Sequence, residues 1–202
     1  MPILLLIRHG ETDWNRSGRV MGDQAIPLNQ VGERQAQVCA EILSRTPIAG
    51  IFTSPVLRAV QTAEILGRPH GEPLRQIPDL REIGVGHWIN RYWKDFADDP
   101  AKRGWYMQPD SARPLGGETL REVQQRAVLA VEQVIECPQT KPYVFVSHGD
   151  VIRAILARYL NLDLGTLRHV TIDHVSVSGL DLTDHNAQLL FLNHRPGLDR
   201  LV

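Results

Sequence analysis

Three observations in this 202-residue chain predict an α/β fold, a doubly wound and mainly parallel sheet with helices on both faces. Short, continuous apolar runs recur at Ile3–Arg8, Gly50–Thr53 and Tyr143–Ser147, the pattern of strands buried on both faces. Amphipathic stretches of helical period separate them. The length suits one large hydrophobic core, and 43% hydrophobic with 22% charged residues is the composition of a packed domain.

The elements follow in order. After the first strand, Asn29 is placed to cap a helix running to about residue 45. The second strand ends at Thr53, and Ser54-Pro55 supplies an N-cap and first-turn pair for a helix ending near Gly67. Residues 87–114 then break the rhythm. They hold Trp88, Trp93 and Trp105 with Tyr92 and Tyr106, and read as a cap inserted into a single domain spanning 1–202, because long excursions in compact domains are usually functional. A long helix is expected over 118–137, a strand at Tyr143–Ser147 and a helix over 150–160 directly after it. Two strands, 170–182 and 188–193, are expected to be joined by a turn at 183–186.

Charge excludes some functions. The chain carries 22 basic and 23 acidic residues, mixed along its length, for a net charge of −1. No long-range field would draw it to nucleic acid or an anionic membrane, so any anion site must be local. The apolar start is far shorter than the ~20 residues of a membrane span and has no signal-peptide features. Cys39 and Cys137 belong to no ligand-spaced cluster and read as two buried thiols of a reducing, cytoplasmic protein. A homodimer is left open.

In such sheets the functional residues lie at the carboxyl ends of the strands. Arg8-His9-Gly10-Glu11-Thr12 occupies one such end and Val146-Ser147-His148-Gly149 another, each histidine followed by a glycine that lets backbone approach a ligand closely. Arg58 lies one turn into the helix after the second strand. Arg8, Arg58, His9 and His148 converging on one edge would form a compact cationic cradle. A phosphoryl group fits it, because guanidinium forks match phosphate oxygens and helix N-termini near Arg58 and Gly149 add oriented amides.

The chain resembles the histidine phosphatase superfamily, the phosphoglycerate mutase-like proteins, through five blocks in the family's order. Arg8-His9-Gly10-Glu11-Thr12-Asp13-Trp14-Asn15 is similar to its opening signature, and Thr53-Ser54-Pro55-Val56-Leu57-Arg58-Ala59-Val60-Gln61-Thr62-Ala63 to its second block. Leu80-Arg81-Glu82-Ile83-Gly84, Gly116-Gly117-Glu118-Thr119-Leu120 and Val146-Ser147-His148-Gly149 resemble the remaining three. The resemblance implies that His9 attacks phosphorus and becomes phosphohistidine, while Arg8, Arg58, His148 and Asn15 hold phosphate oxygens. It implies that Glu82 protonates the leaving oxygen and later takes a proton from water, with no cofactor and no metal, on a small phosphorylated metabolite. Beside cations Glu82 should be driven toward ionisation, and a bound phosphate dianion is expected to restore its proton.

The block after Glu82 reads Ile83-Gly84-Val85-Gly86-His87-Trp88-Ile89-Asn90. It lacks the lysine of strongly mutase-like members and departs from the usual phosphatase form at Ile89-Asn90. Short length and the missing lysine favour hydrolysis over mutase transfer. A noncatalytic phosphate-binding module would be expected to have lost His9, an arginine or Glu82, and none is missing. Glu11 is read as orienting an arginine. His169, His174, His185 and His194 lack metal-ligand spacing and are expected in turns and at strand ends, with Asp173-His174 and Asp184-His185 as local hydrogen-bonded pairs. The aromatics of the cap are expected to form its core, with some lining the leaving-group pocket, and Arg91, Lys94, Lys102, Arg103 and Arg113 are expected to be mostly solvated.

Overall fold

The computed structural model describes residues 2–71, 73–96, 98–136, 139–183 and 186–197. Its elements are β1 (Ile3–Arg8), α1 (Asp13–Ser17), α2 (Gln30–Leu43), β2 (Gly50–Thr53), α3 (Leu57–Gly67), β3 (Leu74–Gln76), α4 (Pro100–Met107), α5 (Leu120–Ile135), β4 (Tyr143–Ser147), α6 (Gly149–Tyr159), β5 (Val177–Thr183) and β6 (Asn186–His194). They build one six-stranded sheet in the order β3-β2-β4-β1-β5-β6. The first four strands run parallel, whereas β5 is antiparallel to β1 and β6 to β5.

The central strands have apolar residues on both faces because both faces are covered. Leu4, Leu6, Phe52, Phe145 and Leu180 pack with Val123, Ala127 and Val131 of α5 and Ile152 and Ile155 of α6. On the other face Ile7, Ile51, Val144 and Val146 meet Ala36, Cys39 and Ala40 of α2 and Ala59, Ala63 and Leu66 of α3. Cys39 is a free, buried thiol whose pKa burial pushes up to about 12, so it is chemically inert. Cys137 and the paired Asp184 and His185 lie outside the described residues.

The three expected central strands form as read, and Asn29 caps α2 by accepting from the Gly32 amide at 2.9 Å. Other boundaries differ for local reasons. The helix after β2 starts at Leu57 rather than at Pro55, and Ser54 is no N-cap. Its Oγ accepts from the Val56 amide at 3.2 Å and from His148 at 2.8 Å, so the hydroxyl is spent on the site. The long helix starts at Leu120 because Thr119 closes a capping box with Glu122, leaving Glu118 in the preceding loop. Residues 170–176 are not strand. Ser176 bonds back to the Asp173 carbonyl and Val175 adopts φ 54°, a turn that delays β5 until Val177. The short β3 at the sheet edge was not legible, with three residues and little apolar pattern.

Within 87–114 the chain forms 3-10 turns at Gly86–Trp88 and Trp93–Phe96, then α4. Trp88 stacks on Phe96 with centroids 5.1 Å apart and meets Trp105 edge-on at 5.1 Å, and all three are buried in the main core. Gly86, at φ 48°, lets this turn lie against the 115–117 backbone, since a Cβ there would stand 2.1 Å from the Leu115 carbonyl oxygen.

Candidate active site

The parallel topology brings the ends of β1 and β4 side by side, with Arg8 in register with Ser147, and β2 beyond β4. His9 and His148 therefore emerge next to each other, their ring centroids 5.2 Å apart. Arg58 reaches between them from the first turn of α3. Its Nε donates to His9 Nε2 at 3.1 Å, and its Nη2 donates to His148 Nδ1 at 3.2 Å and to the Gly22 carbonyl at 2.8 Å. All three side chains are buried.

These bonds assign the tautomers. A guanidinium only donates, so His9 Nε2 and His148 Nδ1 must be acceptors. His9 Nδ1 then donates to the Gly10 carbonyl at 2.7 Å, and His148 Nε2 donates to Ser54 Oγ at 2.8 Å. Both imidazoles are held neutral, their pKa values pushed well below the usual 6.5 by burial and then by the neighbouring Arg58. A neutral His9 is a competent nucleophile once its Nε2 lone pair, which here accepts from Arg58 Nε, is released.

The cations are strained electrostatically. Burial lowers the pKa of Arg8, and that of Arg58 to about 10, against partial compensation from Glu82. Arg8 Nη1 donates to the Ile172 carbonyl at 2.7 Å, but its Nε is buried with no partner among the described residues. A buried, unsatisfied guanidinium donor costs free energy until an acceptor arrives. With both imidazoles neutral, two buried positive charges are left for an anion.

Glu82 closes the group, its Oε2 3.6 Å from Arg58 Nη2 and 3.5 Å from His148 Nδ1, while Oε1 accepts from the Ile83 amide at 3.0 Å. Its pKa is raised, because burial outweighs Arg58 and Asp150 adds a like charge nearby. The expectation that cations drive Glu82 toward ionisation is thus corrected: desolvation favours the proton before any phosphate binds. Behind it, Arg126 donates to the carbonyls of Asp79, Arg81 and Glu82 and to both oxygens of Glu118, which accepts in turn from the Gly84 amide at 2.7 Å. This lattice holds the loop that aims Glu82.

A cavity of about 220 Å³ opens above the group. Arg8, Asn15, Glu82 and Gly149 line it, and Trp14, Arg19, Trp93, Trp105, Asp150 and Arg153 form its outer wall. A Cβ at Gly149 would lie 3.7 Å from Arg8 Nε and 3.6 Å from Arg153 Nη1, so this glycine leaves open the space where two guanidiniums converge. Arg153 and Tyr106 both donate to Asp150 Oδ1. Asp150 and Arg153 were missed from the sequence, although their i, i+3 spacing in the first turn after His148-Gly149 is a usable signal. Arg19, held across the Trp14 ring at 4.5 Å, carried none.

Other expectations come out differently. Glu11 accepts from Asn29 Nδ2 at 2.9 Å and orients no arginine of the site. Asp173 bonds Asn193 at 3.0 Å rather than His174, whose ring instead lies 5.8 Å from that of His9. The cations of the aromatic segment are mostly solvated, as expected, with local partners at their heads: Arg113 pairs with Glu122 at 3.0 Å, Arg103 donates to the Asp98 carbonyl and Lys102 to that of Trp93. Among the described residues, ligand atoms of His9, Glu82 and His148 lie close enough together to suit a metal ion. The donor set opposes it, because Arg58 already donates to the two ring nitrogens a metal would need and would repel it.

The geometry agrees with the comparisons. Residues 4–195 match the model of the histidine phosphatase superfamily (branch 1). A metal-independent phosphoserine phosphatase of Arabidopsis thaliana is 35% identical over 161 residues, covering 77% of this chain and 67% of the relative. A probable phosphoglycerate mutase of Cronobacter sakazakii is 31% identical, covering 87% and 83%. Among solved structures, Bacillus stearothermophilus YhfR superposes with a TM-score of 0.90 at 29% identity, covering 96% of this chain and 98% of that one. A mycobacterial glucosyl-3-phosphoglycerate phosphatase in complex with VO3 gives 0.88 at 29% identity, covering 96% and 100%. With its cradle of paired arginines and neutral histidines at the carboxyl edge of the sheet, the chain belongs to the histidine phosphatase superfamily.

Proposed function

We propose that this phosphatase hydrolyses a small phosphate monoester in two displacements, with His9 as nucleophile and Glu82 as acid and then base. The observation that carries the reading is the neutral His9 ring, its Nδ1 tied to the Gly10 carbonyl and its Nε2 lone pair directed at Arg58. An incoming phosphate takes over the donors of Arg58 and the unpartnered Nε of Arg8, with Asn15, His148 and the Gly149 amide completing the cradle. His9 Nε2 forms the phosphorus-nitrogen bond as the ester oxygen leaves with the proton of Glu82. The Glu82 carboxylate then takes a proton from water, which attacks the phosphohistidine, releasing phosphate and restoring both groups.

The arginines supply the positive charge that a metal would otherwise provide. A cavity of about 220 Å³ suits a small leaving group. The segment over 87–114 serves as the cap that walls it, through Trp93 and Trp105. The free, buried Cys39 is in keeping with a reducing compartment, the cytoplasm. Hydrolysis is favoured over mutase transfer by the short chain and by the block after Glu82, Ile83-Gly84-Val85-Gly86-His87-Trp88-Ile89-Asn90, which holds no lysine.

Rapid acid-free quenching during turnover is expected to trap an alkali-stable, acid-labile phosphate on His9. Glu82→Gln should enlarge the trapped fraction with a good leaving group, and His9→Ala should abolish it. Activity should persist in chelator. A label on Ser54 or Ser147, or turnover retained by His9→Ala, would defeat the mechanism. Interconversion of 2- and 3-phosphoglycerate at a rate exceeding hydrolysis would replace phosphatase by mutase.

A further inference from the structure

The wall of this anion site carries a carboxylate. Asp150, in the first turn of α6 just past His148, lines the same cavity as Arg8, Glu82 and Gly149. A negative charge there opposes the entry of a phosphate, so its presence calls for another role. Its position is fixed from two sides. Arg153, in the next turn of the helix, donates to Asp150 Oδ1 at 2.9 Å, and Tyr106 of α4, inside the 87–114 segment, donates to the same oxygen. Two donors and the helix N-terminus favour the ionised form. The pair reaches the cradle itself, because a single point beside Gly149 lies 3.6 Å from Arg153 Nη1 and 3.7 Å from Arg8 Nε.

We propose that Asp150 is a positioning residue for the acid, a fixed wall charge that keeps the proton on Glu82 until the leaving oxygen takes it. The inference rests on Glu82 acting as that acid. Glu82 is otherwise faced by cations or neutral groups: Arg58 Nη2 from α3 lies 3.6 Å from its Oε2, Arg8 acts on it from the end of β1, Arg126 of α5 donates to its carbonyl at 3.2 Å, and the neutral His148 stands at 3.5 Å. Each cation favours the carboxylate, which cannot protonate a leaving group. Asp150 opposes them, adding to burial in raising the Glu82 pKa. The proton passes from Glu82 to the ester oxygen, and Asp150 exchanges none. After the alcohol departs, the same charge makes the Glu82 carboxylate a stronger base toward the attacking water.

The titration of Glu82 can be read in the ligand-free chain by 13C NMR of protein labelled at the glutamate carboxyl carbon, its resonance identified by loss in Glu82→Gln. Asp150→Asn keeps the shape, removes the charge and should lower the Glu82 midpoint by at least about half a pH unit. Because this variant also frees Arg153, the same fall should appear when Asp150→Asn is made in an Arg153→Met chain. On the alkaline side of the midpoint, Asp150→Asn should cut kcat/KM for phenyl phosphate about threefold more than for 4-nitrophenyl phosphate, whose leaving group needs little acid help. An unmoved midpoint in a chain of unchanged circular dichroism would reduce Asp150 to a support of α6 and overturn the proposal. A fall that vanishes in the Arg153→Met chain would assign it to the freed cation and overturn it equally. If Glu82→Gln shows no bias against phenyl phosphate, the two-displacement reading falls and this one with it. If Glu82→Gln shows that bias and Asp150→Asn does not, only the role of Asp150 falls.

Discussion

Arg58 makes the tightest set of demands in the molecule. A single buried guanidinium holds the acceptor nitrogens of both histidines, the Gly22 carbonyl and, at 3.2 Å, the Gln24 carbonyl, and approaches Glu82. Its role follows from planarity as much as from charge. Arg58→Lys keeps a cation but cannot span two imidazoles or present a fork to phosphate, so kcat/KM should fall on the order of a hundredfold, about 2.7 kcal/mol of transition-state stabilisation. Near-normal kinetics in a single-turnover assay would remove Arg58 from the reaction. The identities of His9, Arg58 and His148 were legible because each follows a recognisable strand end. The raised pKa of Glu82 was not, since it depends on burial that no motif encodes.

At the scale of elements, the aromatic segment divides into a core and a rim. Trp88 and Trp105 are buried at 0% and 3% exposure, whereas Trp93 is 36% exposed and faces the cavity. Trp88→Ala should destabilise the fold by about 3 to 5 kcal/mol in urea denaturation, the cost of a large buried aromatic. Trp93→Ala should instead reorder substrate preference by about tenfold while sparing an activated aryl phosphate, if this rim reads the leaving group. Uniform losses across substrates with a lowered melting temperature would assign Trp93 to packing alone. That an aromatic cluster would form here was readable from composition. Which ring faces the cavity was decided by the 3-10 turns at Gly86–Trp88 and Trp93–Phe96, whose spacing follows no helical or strand period.

For the whole molecule, the buried titrating groups set a pH dependence of stability. His9 and His148 have pKa values well below 6.5, and burial together with Arg8 lowers that of His174 to about 3. The unfolded chain therefore binds protons at these sites below about pH 6.5 while the native state does not, so stability rises with pH toward that value. Glu82 acts oppositely: its raised pKa makes the native state hold a proton that the unfolded state has released above about pH 4.5. Three histidines outweigh one glutamate, and the net slope between pH 5 and 6 should be about 2 to 3 kcal/mol per pH unit. Urea unfolding at pH 5, 6 and 7 measures it. His174→Asn should lower the slope by about one proton, and a flat profile would mean that the imidazoles are not held neutral.

By itself the sequence determined the α/β class, the three central strands, the family and the residues at their carboxyl ends, because continuous apolar runs and strand-end motifs are local patterns. Tertiary structure decided what depends on distant segments meeting. It set the tautomers of His9 and His148 through Arg58 and raised the pKa of Glu82 by burial. It assembled Arg126 and Glu118 behind the Glu82 loop, brought Asp150 and Arg153 to the cavity, and left the apolar β6 at the open edge of the sheet. Desolvation and hydrogen-bond partners are properties of the packed neighbourhood, and a residue's neighbours in space are not its neighbours in the chain.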